Sequence, residues 1–213
     1  HEHFSYPEAI KYLAKKYSIE IEESKQSEDN KKLNNQRESM YLISDYACDF
    51  FQNCLINSTE GKALALSYFK ERGFTDNSIK FFRLGYSPDT LDSLSQKALK
   101  NGYNIDFLIS TGLVIAKDGS SRAIDRFRGR IIFPIRSMSG RVQGFGGRTL
   151  SNQKKTAKYI NSPESEVYNK SKILYGLFES KKSIAKEDTC YIVEGYTDVI
   201  QLHQSGITNV VSS

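Results

Sequence analysis

The chain has 213 residues, 38% hydrophobic and 26% charged, with a formal net charge of +5. That length buries a sizeable core as one large domain or two small ones, and no run approaches the roughly 18 apolar residues that cross a bilayer. The charge is uneven. Residues 122–172 hold twelve Lys or Arg against three acids, a local +9 that leaves −4 elsewhere. So basic a middle points to a polyanion partner.

In chain order, "HEHFSYPEAIKYLAKKY" (1–17) predicts a helix, with Ser5 and Glu8 at capping-box spacing and Ala9, Ile10, Leu13, Ala14 and Tyr17 on one face. Residues 20–38 are polar and are expected to form a mobile linker. From 39 to 112 the periodicity is helical: Ile43, Ala47, Phe50, Phe51 and Cys54 make one apolar stripe, and Leu64, Leu66, Tyr68 and Phe69 lie in the next helix. Gly73 and Gly102 read as helix stops, with a short strand at "FFRLGYSP" between them. "GLVIAKDGSS" predicts a short strand and an Asp-Gly turn. "RGRIIFPIRSMSGRVQGFGGRTL" predicts a hairpin turning at Ser137–Gly140. A loop-to-helix segment follows. Then "DTCYIVEG", "YTDVIQLHQSG" and "ITNVVSS" read as strand, helix and strand, a parallel βαβ unit.

The three cysteines (Cys48, Cys54, Cys190) lack zinc spacing and are expected to be buried thiols in a reducing cytoplasm; the N-terminus carries no signal-peptide pattern. His1 and His3 make a metal site only with partners this chain lacks.

Three features carry chemistry. Arg126, Arg128 and Arg130 alternate along "DRFRGR". In a strand, that alternation puts three phosphate-matching guanidiniums on one face and Phe127 on the other. A solvated edge strand has the same pattern. Next, "GFGGR" offers Gly144, Gly146 and Gly147 for close approach of backbone to a ligand, with Arg148 behind them. "KYINSPES" adds Lys158, Tyr159 and Asn161, suited to the phosphate, base and sugar of one nucleotide, and Lys170 is a further phosphate candidate. Last, Glu194 closes an apolar strand ahead of Gly195, with Asp198 early in the following helix. In open parallel sheets ligands gather at that end, and oxygen donors there suit a hard divalent cation; the plain alternative is a loop acid and a first-turn helix acid.

The blocks "DRFRGRIIFPI", "GRVQGFGGRTL", "KYINSPES", "YNKSKILYGL" and "VEGYTDVIQLHQSGI" resemble, in order and near-spacing, bacterial replicative primases of the DnaG type, over roughly residues 40–213. The resemblance implies an α+β fold. A helix and linker (1–38) follow a zinc-ribbon module, then come a helical and mixed subdomain with a basic β-hairpin (39–187) and the start of a parallel α/β Toprim unit (188–213). It also implies DNA-templated synthesis of short RNA primers on single-stranded DNA. In this family the glutamate matched by Glu194 belongs to a Mg2+ (or Mn2+) site, with Asp198 kept beside it as a catalytic candidate. The positions of Arg126, Arg128, Arg148, Lys158, Tyr159, Asn161 and Lys170 contact nucleotide or template. Zn2+ belongs to the absent N-terminal module, and the Asp-rich motifs that supply most metal ligands do not occur here. The expectation is therefore a fragment, inactive alone. Implied partners are single-stranded DNA and ribonucleoside triphosphates. A replicative helicase and single-strand-binding protein are expected to bind through other regions of a monomer at the cytoplasmic replication fork, away from any membrane. Two alternatives stay open: another Toprim enzyme (topoisomerase or nuclease), or a non-catalytic single-stranded nucleic-acid-binding module.

Overall fold

The structure is a computed structural model that describes residues 6–17, 19, 28–116, 123–150 and 157–213. His1, His3, Ser5 of the capping box, the Asp118–Gly119 turn, Arg122, Lys154 and Lys155 lie outside the described residues. Helix α1 spans Tyr6–Tyr17. Helix α2 then runs Glu28–Asn57, taking in residues 28–38, where a linker was expected. Their polarity reflects an exposed start to a helix, and the polar residues that suggested disorder make its tertiary ties. Glu38 accepts from Arg141 at 2.6 and 2.7 Å, and Arg37 lies 3.7 Å from Glu166.

A π-helical turn, Gly61–Leu66, leads into α3 (Ser67–Glu71) and α4 (Asp76–Phe81), then β1 (Gly85–Ser87). Helices α5 (Ser93–Lys100) and α6 (Ile105–Ser110) follow. The predicted stops hold, since Gly73 and Gly102 adopt φ of +75° and +82° just past α3 and α5, in the left-handed region glycine occupies freely. Strands β2 (Val114–Ala116) and β3 (Ala123–Asp125) form a small antiparallel pair.

The predicted hairpin is β4 (Arg130–Arg136) and β5 (Val142–Thr149). With β1 and β6 (Tyr159–Asn161) it builds an antiparallel sheet of order β1-β4-β5-β6. Ile131, Ile132, Phe133 and Ile135 are all buried, because β4 is central and covered on both faces. Pro134 lies past the end of β1, which pairs only with Arg130–Ile132, so this ladder tolerates the missing N–H.

Each face has its own core. Ile132, Val142, Phe145 and Phe127 pack with Ile43, Ala47 and Phe51 of α2, Leu94 of α5 and Leu108 of α6. Ile131, Phe133 and Ile135 pack with Phe69 of α3 and Ile79 of α4. Each large side chain buried in this way stabilises the fold by about 1.5–3 kcal/mol.

After α7 (Leu177–Glu187), β7 (Tyr191–Val193), α8 (Tyr196–Gln204) and β8 (Val210–Ser212) form the predicted parallel βαβ. Val199, Ile200 and Val210 join the core around Phe133, so this unit packs into the rest of the molecule. Strand β7 departs from the expected apolar interior: Ile192 is 71% exposed and the Cys190 thiol is open to solvent. Cys48 is the buried thiol, its pKa pushed up to about 12 by burial. No described helix is long and apolar enough to cross a membrane.

Candidate functional site

The site is built on the register of β5 and β6. Arg148 pairs with Tyr159 and Gly146 with Asn161, so all four lie on one face of the sheet. Tyr196, the first residue of α8, packs onto that face. Its ring stacks on Tyr175 with centroids 4.3 Å apart, and its hydroxyl donates to Asn161 Oδ1 at 3.3 Å. Burial raises the Tyr196 pKa, keeping the phenol protonated for that bond. A Cβ on Gly146 would meet the Tyr196 ring at 2.4 Å. Glu194 and Gly195 form the β7–α8 turn next to this contact, so the Glu194 backbone stands within about 7 Å of the Tyr196 Cα. The carboxylates of Glu194 and Asp198 both belong to exposed residues.

The turn that carries Lys170 is joined to the same face through Tyr168. A Cβ on Gly144, two residues before Gly146, would meet the Tyr168 ring at 2.9 Å. Tyr168 is buried there, and the 3-10 turn Lys170–Lys172 follows directly. Glu164 fixes that turn by accepting from the Lys170 backbone N–H at 3.0 Å. Lys158 and Tyr159 are exposed at the start of β6.

The structure corrects the reading of "DRFRGR". Arg126 and Arg128 are not strand residues; they lie in the turn Arg126–Gly129 between β3 and β4. The cause is Asp125, whose carboxylate accepts from the backbone N–H groups of Leu94 (2.7 Å) and Ser95 (3.1 Å), capping α5 from another element. Asp92, the residue before α5, makes no side-chain cap. With Asp125 held and the Gly129 N–H bonded to Pro88 O at 3.2 Å, the chain must turn. Phe127 does enter the core as expected.

Arg130 alone of the three is in a strand. It is buried and donates to the carbonyls of Gly147 (3.2 Å), Ala157 (3.0 Å) and Lys158 (3.4 Å), so it clamps β6 to β5 and leaves no fork for a ligand. Burial, and then the charge of Arg126, lower its pKa. The glycines are corrected as well. Their open sides are filled by Tyr168, Tyr196 and, at Gly147, Phe127, so they serve packing rather than ligand approach.

Arg148 stays available. Its guanidinium carbon lies 4.6 Å from the Tyr68 ring centroid and 5.5 Å from that of Tyr159, and its Nε is buried with no hydrogen-bond partner among the described residues. Sequence reasoning missed Tyr196 and Tyr68. Tyr196 sits inside the quoted Glu-Gly block with no signal of its contact, and Tyr68 reads only as one residue of a predicted helix. Separately, an open cleft of about 1020 Å³ lies among Arg37 and Tyr41 of α2, Ser137 and Met138 of the hairpin turn, and Tyr168 and Lys172; none of the nine predicted site residues lines it.

The fold thus defines a mixed α+β domain whose central antiparallel sheet packs, with Tyr196 at the contact, against a parallel βαβ unit. Residues 50–181 match the family described as the DNA primase catalytic core, N-terminal domain. The chain belongs to that family. It is 36% identical to the DNA primase of Halalkalibacterium halodurans over 212 residues, covering 100% of this chain and 35% of the relative. Its structure resembles the RNA polymerase domain of the Mycobacterium tuberculosis primase DnaG (TM-score 0.77, 34% identity, 83% of this chain and 56% of that one). A DnaG primase catalytic domain solved bound to ssDNA is also similar (TM-score 0.76, 38% identity, 84% of this chain and 55% of that one). The chain spans about a third of the length of the curated relatives it matches.

Proposed function

We propose that this chain is the nucleotide- and template-handling part of a DNA primase, which makes short RNA primers on single-stranded DNA. The observation that carries the reading is the Tyr196 contact. By packing on Gly146 and bonding to Asn161, it sets the Glu194 turn beside the face that bears Arg148 and Tyr159. An acid and a cation-and-aromatic surface in one neighbourhood suit phosphoryl transfer, where the protein mainly positions and neutralises phosphates.

In this reading a ribonucleotide 3′-hydroxyl attacks the α-phosphate of the next triphosphate, and pyrophosphate leaves. Arg148, Lys158 and Lys170, with Arg126 and Arg128 of the β3–β4 turn, orient and neutralise phosphates. Tyr159, 46% exposed, offers a ring for a base, and Asn161 is held by Tyr196. Glu194 would hold Mg2+ (or Mn2+), with Asp198 in the first turn of α8. Exposed hard oxygen donors fit such an ion, which takes one or two carboxylates plus substrate phosphates and waters. Among the described residues no group of three or more His, Cys, Asp or Glu is close enough to hold a metal, so substrate and further acids would complete the shell. When bound, the ion would ease deprotonation of the attacking hydroxyl and offset charge on the departing pyrophosphate.

Single-stranded DNA and ribonucleoside triphosphates are the substrates in this proposal. A replicative helicase and single-strand-binding protein would bind other parts of a monomeric, cytoplasmic enzyme.

The test is Glu194→Gln in a primase of full family length carrying this sequence. Primer synthesis should fall by about 100-fold or more, while affinity for a single-stranded oligonucleotide stays within about twofold. Equal losses in both would instead favour a structural glutamate, and wild-type synthesis by the variant would leave a binding module.

A further inference from the structure

The loop from the end of β6 to the turn Lys170–Lys172 is tied down at two points. The first is Ser162, which exchanges bonds with Phe145 of β5. Its N–H donates to Phe145 O at 2.8 Å, and its Oγ accepts from the Phe145 N–H at 3.0 Å. The second is Tyr168, buried together with Val167. Ser165 closes the chain onto it, with Oγ accepting from the Tyr168 N–H at 3.1 Å and N–H donating to Tyr168 O at 2.9 Å. Beyond Tyr168, residues 169–172 are exposed, so hydrogen bonds rather than packing must set their path.

Two side chains supply them. Asn169 Oδ1 accepts from the Ser171 N–H at 3.1 Å, and a Glu164 carboxylate oxygen accepts from the Lys170 N–H at 3.0 Å. These are opening donors of a 3-10 turn, which its own carbonyls cannot satisfy. The Glu164 bond reaches further along the chain, closing the loop onto its own start six residues earlier.

The loop's acids are also placed so that they do not cancel the lysine. Glu166 lies 3.7 Å from Arg37, and Glu164 is turned to the Lys170 backbone; neither pairs with the Lys170 ammonium. The backbone is held and the charge is left for an anion. A lysine ammonium ends a flexible four-carbon stem, so where it can reach follows the backbone that carries it. Fixing that backbone beforehand lowers the ordering cost when a phosphate binds.

We propose that Glu164 is a positioning residue for Lys170: by holding the Lys170 backbone N–H, it sets where the ammonium meets the phosphates of an incoming ribonucleoside triphosphate. This inference rests on the reading of Lys170 as a phosphate contact.

The experiment measures KM for ribonucleoside triphosphate and kcat of primer synthesis in a primase of full family length carrying this sequence. The variants are Glu164→Ala, Glu164→Gln, Lys170→Ala and the double variant Glu164→Ala with Lys170→Ala, each with a melting temperature. Glu164→Ala should raise KM about three- to tenfold with kcat within about twofold of wild type, the pattern of a lost binding contribution. Glu164→Gln keeps an acceptor oxygen and should stay within about twofold in both. In the Lys170→Ala background, Glu164→Ala should add less than about twofold, because the side chain it positions is gone. An unchanged KM in Glu164→Ala overturns the proposal. So does a full KM increase in the double variant relative to Lys170→Ala, which would make Glu164 act on the fold or the nucleotide directly. Glu164→Gln as impaired as Glu164→Ala makes the charge, and not the hydrogen bond, the effective feature, and overturns it too. Should Glu164→Ala fail to fold, Glu164→Met keeps the stem, removes the acceptors and is judged by the same outcomes. Lys170→Ala separates this inference from the reading beneath it. A raised KM there with none in Glu164→Ala removes only Glu164, whereas a wild-type KM in Lys170→Ala removes the phosphate contact itself.

Discussion

Arg130 and Arg148 sit on paired strands and meet opposite environments. Arg130 faces the α2 side, where carbonyls of Gly147, Ala157 and Lys158 take its donors. Arg148 faces the other side, where the rings of Tyr68 and Tyr159 meet it. Replacing Arg130 with Met should cost about 2–4 kcal/mol in urea denaturation, because buried carbonyls lose a charged donor, and should loosen the strand that carries Tyr159. Arg148→Met should change stability far less and binding far more. Asp125 gives a pH test. Burial raises its pKa above 3.8, against the pull of the Leu94 and Ser95 N–H groups. A carboxyl whose folded pKa exceeds its unfolded one contributes stability fully below the unfolded value and loses it as pH rises through the folded value. From about pH 4 upward, wild type should therefore lose stability relative to Asp125→Asn. Denaturation series that diverge the other way would mean the two N–H donors outweigh burial.

Between elements, a tight joint is Gly146 against Tyr196. The ring has Tyr175 stacked on it and Phe133 beside it at 5.8 Å, so it has nowhere to retreat. Gly146→Ala should push the start of α8 off the sheet, costing about 1–3 kcal/mol by thermal or urea unfolding. If the Glu194 turn depends on that joint, primer synthesis in the full-family-length enzyme should drop by more than this stability loss explains at a temperature where the variant is folded. Tyr196→Phe removes only the bond to Asn161 and should cost about 1 kcal/mol. Helix α2 illustrates the reverse relation, in which an element with a polar start is held in place by distant partners, Arg141 and Glu166.

For the whole molecule, the sheet acts as a partition between two cores, and ion pairs lock the outer elements onto it. The most buried is Arg136 with Glu179, side chains 11% and 5% exposed, which ties the end of β4 to α7; Arg136 Nε donates to Glu179 at 2.9 Å. Arg136 also stacks 4.4 Å from the Phe178 ring and donates to Phe81 O at 3.1 Å. Removing it as Arg136→Ala strands a buried carboxylate and should cost about 3–5 kcal/mol, read as a fall in the urea midpoint. The double variant Arg136→Met with Glu179→Leu should recover most of that loss, since no charge is then left unpaired.

Periodicity along the chain was enough for the hairpin, the parallel βαβ, the helix stops at Gly73 and Gly102, and the exposed acid closing β7. Each of these depends on residues within a turn or two of one another, where spacing and backbone preference act directly. Spacing could not sort the arginines: Arg126 and Arg128 are turned aside by a cap that Asp125 gives to α5, Arg130 is consumed by carbonyls, and Arg148 is set against aromatic rings. Nor could it say that the glycines of β5 make room for Tyr168 and Tyr196 rather than for a ligand. Those outcomes were decided only by the tertiary structure, because burial and charge compensation depend on side chains brought in from distant parts of the sequence.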